Sequence, residues 1–111
     1  MNKLETMIVD DEAPARNELD YLLSDLEEIG LVGEADNGTT ALELIKAKKP
    51  DLVFLDIKMP GQNGLEVADK LQEMKQPPKI IFLTAYDEYA LDAFKVNAIN
   101  YIYYLLWSVI N

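Results

Sequence analysis

The chain has 111 residues, with 20 Asp and Glu against 10 Lys and Arg, and its formal net charge is −10. This length suits a single domain with one hydrophobic core. The sequence contains no Cys and no His, which excludes disulfides, thiolate zinc sites and imidazole-based catalysis, and its acidity disfavours direct binding to nucleic acid or to an anionic membrane.

Short apolar runs alternate along the chain with longer segments whose apolar residues recur at helical spacing. The short runs are rich in β-branched residues and predict strands buried on both faces; they cover residues 7–9, 31–32, 52–55 and 80–83. The longer segments predict helices. The first helix is expected over 13–28, the second between Asn37-Gly38 and Pro50, the third over 64–75 and the fourth over 86–95.

A fifth apolar run at residues 99–103 completes a βαβαβαβαβ pattern. Parallel strands need crossover connections, so this alternation predicts a doubly wound α/β fold, a parallel sheet with helices on both faces. We expect one domain over residues 1–111.

Polar residues follow three of the predicted strands. Asp10 and Asp11 follow the first strand, Asp56 ends the third, and Thr84 follows the fourth. Ligands of open α/β sheets bind at the carboxyl ends of the strands, so these side chains are expected to converge. Crowded carboxylates repel unless a cation lies between them or their pKa values rise. Oxygen ligands favour a hard cation, and Mg²⁺ fits well. Such a site suits phosphoryl transfer with Asp56 as nucleophile.

Three segments together resemble the receiver domain of bacterial two-component response regulators. They are MIVDDE at 7–12, DLVFLDIKMPG at 51–61 and IFLTA at 81–85. Residues 11–16 and 84–91 further resemble the LytR/AlgR type, whose receivers usually precede a LytTR DNA-binding domain that this chain lacks. The resemblance implies a flavodoxin-like, five-stranded parallel sheet of order 2-1-3-4-5 that controls transcription through such an output domain.

The resemblance also implies a role for each matching residue. Asp56 would accept phosphate from a histidine kinase or from a small phosphodonor such as acetyl phosphate. Mg²⁺ would be held by Asp11 and Asp56 and by the backbone carbonyl of Lys58, with Asp10 acting mainly through water. Thr84 would be the switch hydroxyl and Tyr101 the switch aromatic. The chain is then a signalling protein and not an enzyme, apart from its own phosphorylation and dephosphorylation.

The sequence departs from the family pattern near its end. Tyr104 and Leu105 stand where the family has a Lys-Pro pair, and a phenol cannot supply the positive charge of that Lys. No charged residue follows Lys95, and the family's fifth helix is expected to be missing or truncated. The apolar tail, residues 102–111, is a natural variant, a truncated end or an altered sequence, and the last two accounts are favoured. It is expected to associate with a second copy as a homodimer or swapped assembly.

Three other functions compete with this interpretation. A phosphorylation-independent interaction module would keep the fold and use the altered fifth strand as a dimer face. A magnesium-dependent phosphatase usually shows Asp-x-Asp after its first strand, a spacing that Asp10-Asp11-Glu12 lacks. A flavin-binding carrier would need a Gly- and hydroxyl-rich phosphate loop there.

The sequence gives no sign of export or of membrane insertion. Residues 1–5 carry charge and precede only a three-residue apolar run, unlike a signal peptide. Residues 101–110 are nearly all apolar, but a membrane-spanning helix needs about 20 residues. We therefore expect a cytoplasmic chain that does not contact the membrane.

Overall fold

The computed structural model describes residues 3–83, in which strands and helices alternate. Thr84, Tyr101, Tyr104, the predicted helix over 86–95, the fifth strand and the apolar tail all lie outside this range. The strands and helices are, in chain order, β1 Leu4–Val9, α1 Ala13–Ser24, β2 Ile29–Ala35, α2 Gly38–Lys48, β3 Leu52–Asp56, α3 Gly64–Leu71 and β4 Lys79–Leu83.

The strands of this part of the chain form one parallel sheet of order β2-β1-β3-β4. The predicted order is confirmed for these four strands. In the register, Val9 at the end of β1 lies beside Leu55 of β3, and Asp56 lies beside Leu83 at the end of β4. The carboxyl ends of β1, β3 and β4 therefore reach the same edge of the sheet.

Hydrophobic clusters lie on both faces of the sheet, which confirms the doubly wound α/β class. On one face, side chains of α2 and α3 such as Ile45 and Val67 pack on β1 and β3. On the other face, Leu19 and Leu23 of α1 pack around Phe54. Burying these side chains contributes roughly 1.5–3 kcal/mol each and fixes the sheet that carries the strand ends.

The predicted bounds of two helices are wrong at their carboxyl ends. The first helix ends at Ser24 and not at 28, because a turn in which the Leu26 N–H donates to the Leu23 carbonyl at 3.0 Å leads into β2. Acidic residues at 25, 27 and 28 also oppose the helix dipole there. The third helix ends at Leu71 and not at 75, since tight turns follow it and Pro77-Pro78 disfavours helix just before them.

The second strand is longer than predicted. It runs from Ile29 to Ala35, beyond the predicted 31–32. Gly30 and Gly33 have low strand propensity, which hid its length. Pairing with β1 overrides that propensity, and a register shift after Thr6 leaves Val32 without a paired residue.

Asparagine caps begin two of the helices. The Asn37 side chain accepts a hydrogen bond from the Thr40 N–H at 2.8 Å at the start of α2. Asn63 accepts one from the Glu66 N–H at 2.9 Å at the start of α3. Such caps satisfy N–H groups that have no partner within the helix. Among residues 3–83, no helix combines the length and apolar character needed to cross a bilayer.

Candidate functional site

Three carboxylates meet at the carboxyl ends of β1 and β3. Asp10 and Asp11 follow β1, and Asp56 is the last residue of β3. Carboxylate oxygens of all three lie within 4.8 Å of one another. The three acids converge as expected from the strand order, because Val9 and Leu55, the residues before Asp10 and Asp56, are neighbours in the sheet.

Two of these carboxylates are buried and hold the backbone that follows them. Asp56 is 3% exposed and Asp10 is 8% exposed, whereas Asp11 is more accessible. Asp10 Oδ1 accepts a hydrogen bond from the Glu12 N–H at 3.0 Å, and Asp56 Oδ1 accepts one from the Lys58 N–H at 3.2 Å. Each side chain therefore bonds to the backbone two residues ahead, a local turn that Asp favours.

Burial and like charge act together on the pKa values of this cluster. Burial, followed by the charge of Asp10, raises the pKa of Asp56 to about 6, while the hydrogen bond from Lys58 N–H opposes the rise. Burial also raises the pKa of Asp10, with the neighbouring charges of Asp11 and Glu12 adding to the rise. Holding all three carboxylates ionised is therefore costly unless a cation neutralises them.

The cluster has the composition of a metal site. Its ligands are all carboxylate oxygens, two of them buried and one accessible to solvent. A hard divalent cation prefers oxygen ligands and retains bound water, so this donor set fits such an ion. The cluster could therefore bind a metal ion.

The loop after β3 returns to within van der Waals distance of Asp56 at Gly64. The Gly64 N–H donates to the Ile57 carbonyl at 2.8 Å. A Cβ at position 64 would collide with the Asp56 carbonyl oxygen and lie 2.8 Å from Ile57 Cα. Glycine is needed here because α3 begins directly against the backbone that carries Asp56. The sequence indicated Gly64 only as a helix boundary, since a glycine required for close approach looks the same as one in a turn.

The described residues account for part of the expected site. Asp10, Asp11 and Asp56 are brought together, and the backbone of Lys58 lies beside them through its bond to Asp56. Thr84 and Tyr101 lie outside the described range. Leu83, the residue before Thr84, pairs with Asp56 in the sheet.

A doubly wound α/β domain with a cluster of acids at its strand ends has the form of a phosphoacceptor signalling domain. Comparison with known families agrees, because residues 6–103 match the response regulator receiver domain. The chain belongs to this family, as the sequence motifs predicted.

Known proteins of the LytT and LytR type are similar to this chain. It is 52% identical over 99 residues to the sensory transduction protein LytT of Bacillus anthracis, a match covering 89% of this chain and 40% of that protein. It is 44% identical over 99 residues to the transcriptional regulatory protein LytR of Staphylococcus aureus, with the same coverage of 89% and 40%. The chain thus spans about two fifths of the length of these relatives.

Solved receiver structures share the fold. The signal receiver domain of a Mycobacterium tuberculosis protein superposes with a TM-score of 0.74 at 38% identity, covering 81% of this chain and 73% of that one. The predicted fold class and the predicted LytR type are both confirmed. As a receiver domain, the chain has a phosphoacceptor role in two-component signalling, a signalling role distinct from that of a classical enzyme.

Proposed function

We propose that the chain accepts a phosphoryl group on Asp56 from a histidine kinase or from a small phosphodonor such as acetyl phosphate. The observation that carries this proposal is the position of Asp56, which is buried at the end of β3 with carboxylate oxygens of Asp10 and Asp11 within 4.8 Å. A single buried Asp after a strand often serves only as a cap or turn residue. A buried Asp with carboxylate oxygens of two more acids within 4.8 Å favours a role in binding a cation and a phosphoryl group.

The acceptor reaction uses the ionised form of Asp56. One carboxylate oxygen attacks phosphorus, the bond from phosphorus to the donor's leaving atom breaks, and the electron pair leaves with the donor. With its pKa near 6, Asp56 is mostly ionised at pH 7.5. The hydrogen bond from Lys58 N–H to Oδ1 fixes the orientation of the carboxylate for that attack.

We propose that the cation is magnesium, which this set of oxygen donors fits well. Asp10, Asp11, Asp56 and the backbone carbonyl of Lys58 would hold it, with Asp10 acting mainly through water. When bound, Mg²⁺ supplies positive charge that offsets the charge on the phosphoryl oxygens. Asp11 and Asp56 would both hold the ion, so removal of either carboxylate is expected to abolish the reaction.

We propose that residues after β4 pass the signal from the receiver to the output domain. Thr84 is the residue after Leu83, which pairs with Asp56, and this place in the sequence supports its assignment as the switch hydroxyl. Phosphorylation adds roughly 1.5 to 2 negative charges and strong hydrogen-bond acceptors that a Thr84 hydroxyl could reach. Tyr101 would then change position and pass the signal onward.

The output is proposed to be transcriptional. One similar protein is named a transcriptional regulatory protein, and this chain spans 40% of its length. A DNA-binding domain of the LytTR type, outside this 111-residue sequence, would be controlled by the receiver at residues 1–111. The acidity of the receiver, with a net charge of −10, supports assigning DNA contact to that other domain.

Beryllofluoride provides a direct test, because it forms a stable tetrahedral mimic of a phosphoryl group on a carboxylate. Fluorine NMR of the protein with beryllofluoride and Mg²⁺ is expected to show a bound signal. That signal should disappear with EDTA and in Asp56→Asn, and it should persist in the control Asp69→Asn on α3. A folded protein without the bound signal would favour the phosphorylation-independent interaction module, for which Tyr104 in place of the family's Lys is the supporting observation.

A further inference from the structure

Arg16 is the only arginine of the chain, and it contacts the loop that carries two of the three acids. Its Nη1 donates to the backbone carbonyl of Asp10 at 2.9 Å. Its Nε lies 3.9 Å from Glu34 Oε1, a long ion pair that contributes little. The side chain is 21% exposed, so the bond to Asp10 is partly shielded from water. The dominant contact of Arg16 is therefore with the backbone of the site.

The bond from Arg16 gives the Asp10 carbonyl a hydrogen-bond partner just beyond the end of the β1–β3 pairing. The ladder between β1 and β3 ends at Val9 and Leu55, so the Asp10 carbonyl lies beyond its last pair. The Asp10 N–H is held from the other side, donating to the Ala35 carbonyl at 3.1 Å. Arg16 thus completes the anchoring of Asp10, whose N–H, carbonyl and Oδ1 all have partners.

We propose that Arg16 is a positioning residue that holds the loop of Asp10 and Asp11 where their carboxylates, together with Asp56, bind Mg²⁺. This inference rests on the proposed function. A bond from a guanidinium is charge-assisted and stronger than one between neutral groups. It is made to a carbonyl, so it does not occupy the carboxylate oxygens that the cation needs. Groups that orient metal ligands typically change metal affinity by about 10–100-fold.

The direction of the change in Mg²⁺ affinity on replacing Arg16 distinguishes a positioning role from a long-range effect of its charge. Replacing Arg16 with Met keeps most of the aliphatic stem and removes the donors and the positive charge. Charge alone would tighten Mg²⁺ binding, because the protein becomes more negative. Positioning predicts the opposite, a loss of about tenfold in affinity.

The experiment is isothermal titration calorimetry with MgCl₂ on the full chain, with circular dichroism to verify folding. Lys46→Ala is the matched control, because it removes one positive charge from the last turn of α2, at the opposite end of the sheet. Glu34→Gln removes the long ion pair and leaves the bond to Asp10. Both are expected to bind Mg²⁺ within about twofold of the wild type, and Arg16→Lys, which restores one donor, is expected to fall between wild type and Arg16→Met.

Weakened binding in Arg16→Met, partly recovered in Arg16→Lys and absent in both controls, supports positioning. Wild-type or tighter affinity in folded Arg16→Met overturns it, as does an equal loss in Lys46→Ala. If Arg16→Met does not fold, Arg16→Lys decides: reduced affinity supports the proposal and unchanged affinity overturns it, since a lysine cannot reproduce the reach of the guanidinium. A wild-type chain that does not bind Mg²⁺ overturns the metal site itself, so the two failures are distinct.

Discussion

At the residue scale, Asp56 combines two properties that conflict. Its burial and its acidic neighbours disfavour a negative charge, yet the proposed attack on phosphorus needs one. Burial raises the pKa of Asp56 only to about 6, so the carboxylate is still mostly ionised at neutral pH. The same conflict makes Asp56 a source of instability when no cation is bound.

The pH dependence of stability follows from this raised pKa. The pKa of Asp56 is about 6 in the folded state and 3.8 for an ordinary Asp, so the folded state binds the proton more tightly. The resulting contribution to stability is fully present below about pH 4 and is lost as the pH rises through about 6. In EDTA at pH 7.5, Asp56→Asn is expected to be more stable than the wild type by roughly 1–3 kcal/mol. The difference should shrink toward pH 5, as urea denaturation at several pH values would show.

Asp69 provides the control for that measurement. It is exposed on α3, so Asp69→Asn is expected to change the free energy of unfolding by less than about 0.5 kcal/mol at every pH. A stability difference for Asp56→Asn that stays constant from pH 5 to pH 8 would contradict the assignment of the raised pKa to Asp56.

Gly64 lies so close to the backbone of Asp56 and Ile57 that a side chain at this position is expected to destabilise the fold. Gly64→Ala places a Cβ against the Asp56 carbonyl and 2.8 Å from Ile57 Cα, and backbone cannot move aside cheaply. We expect a loss of about 2–3 kcal/mol in the free energy of unfolding, measured with urea. Gly30→Ala is the control, because its nearest neighbours lie at 3.4 Å in the flexible Lys3 side chain. Equal effects of the two substitutions would rule out the close approach as the cause.

At the element scale, apolar periodicity predicted which segments are helices and strands but not where they end. The helix over 64–75 stops at Leu71 because tight turns replace it, and turn geometry leaves little trace in periodicity. The strand at 29–35 was underestimated because its two glycines conceal a segment that pairs with β1. The starts of α2 and α3 are easier to predict than helix ends, because Asn37 and Asn63 are residue types that favour the N-cap position.

The cap of α3 can be tested by itself. Asn63→Ala removes the acceptor of the Glu66 N–H and is expected to lower the free energy of unfolding by about 1 kcal/mol. Asn63→Ser retains a capping oxygen and should recover most of that loss in the same urea measurement. If serine is as destabilising as alanine, the side-chain bond is not what stabilises the start of α3.

At the scale of the whole molecule, the sheet topology assembles the site. Asp10 and Asp56 are 46 residues apart in sequence, but parallel strands bring their ends to one edge, so the cluster was predictable. The bond from Arg16 to the Asp10 carbonyl was not, because it depends on the path of a loop after β1. The contact of Gly64 with Asp56 depends in the same way on a return path that residue types do not encode.

Self-association is the prediction that the described residues leave open. The apolar tail, residues 102–111, contains no charged residue, and association with a second copy would cover its apolar side chains. We expect a homodimer by size-exclusion chromatography with light scattering at high micromolar concentration. A strict monomer under those conditions would remove the tail as a dimer interface.

The central claim is that Asp56 accepts a phosphoryl group with the help of its acidic neighbours. Intact-protein mass spectrometry after incubation with acetyl phosphate and MgCl₂ tests it most directly. The account predicts a gain of one phosphoryl group, about 80 Da, that is lost with EDTA, in Asp11→Asn and in Asp56→Asn, and kept in Asp69→Asn. A folded wild-type chain without that gain, or a gain that persists in Asp56→Asn, would contradict it.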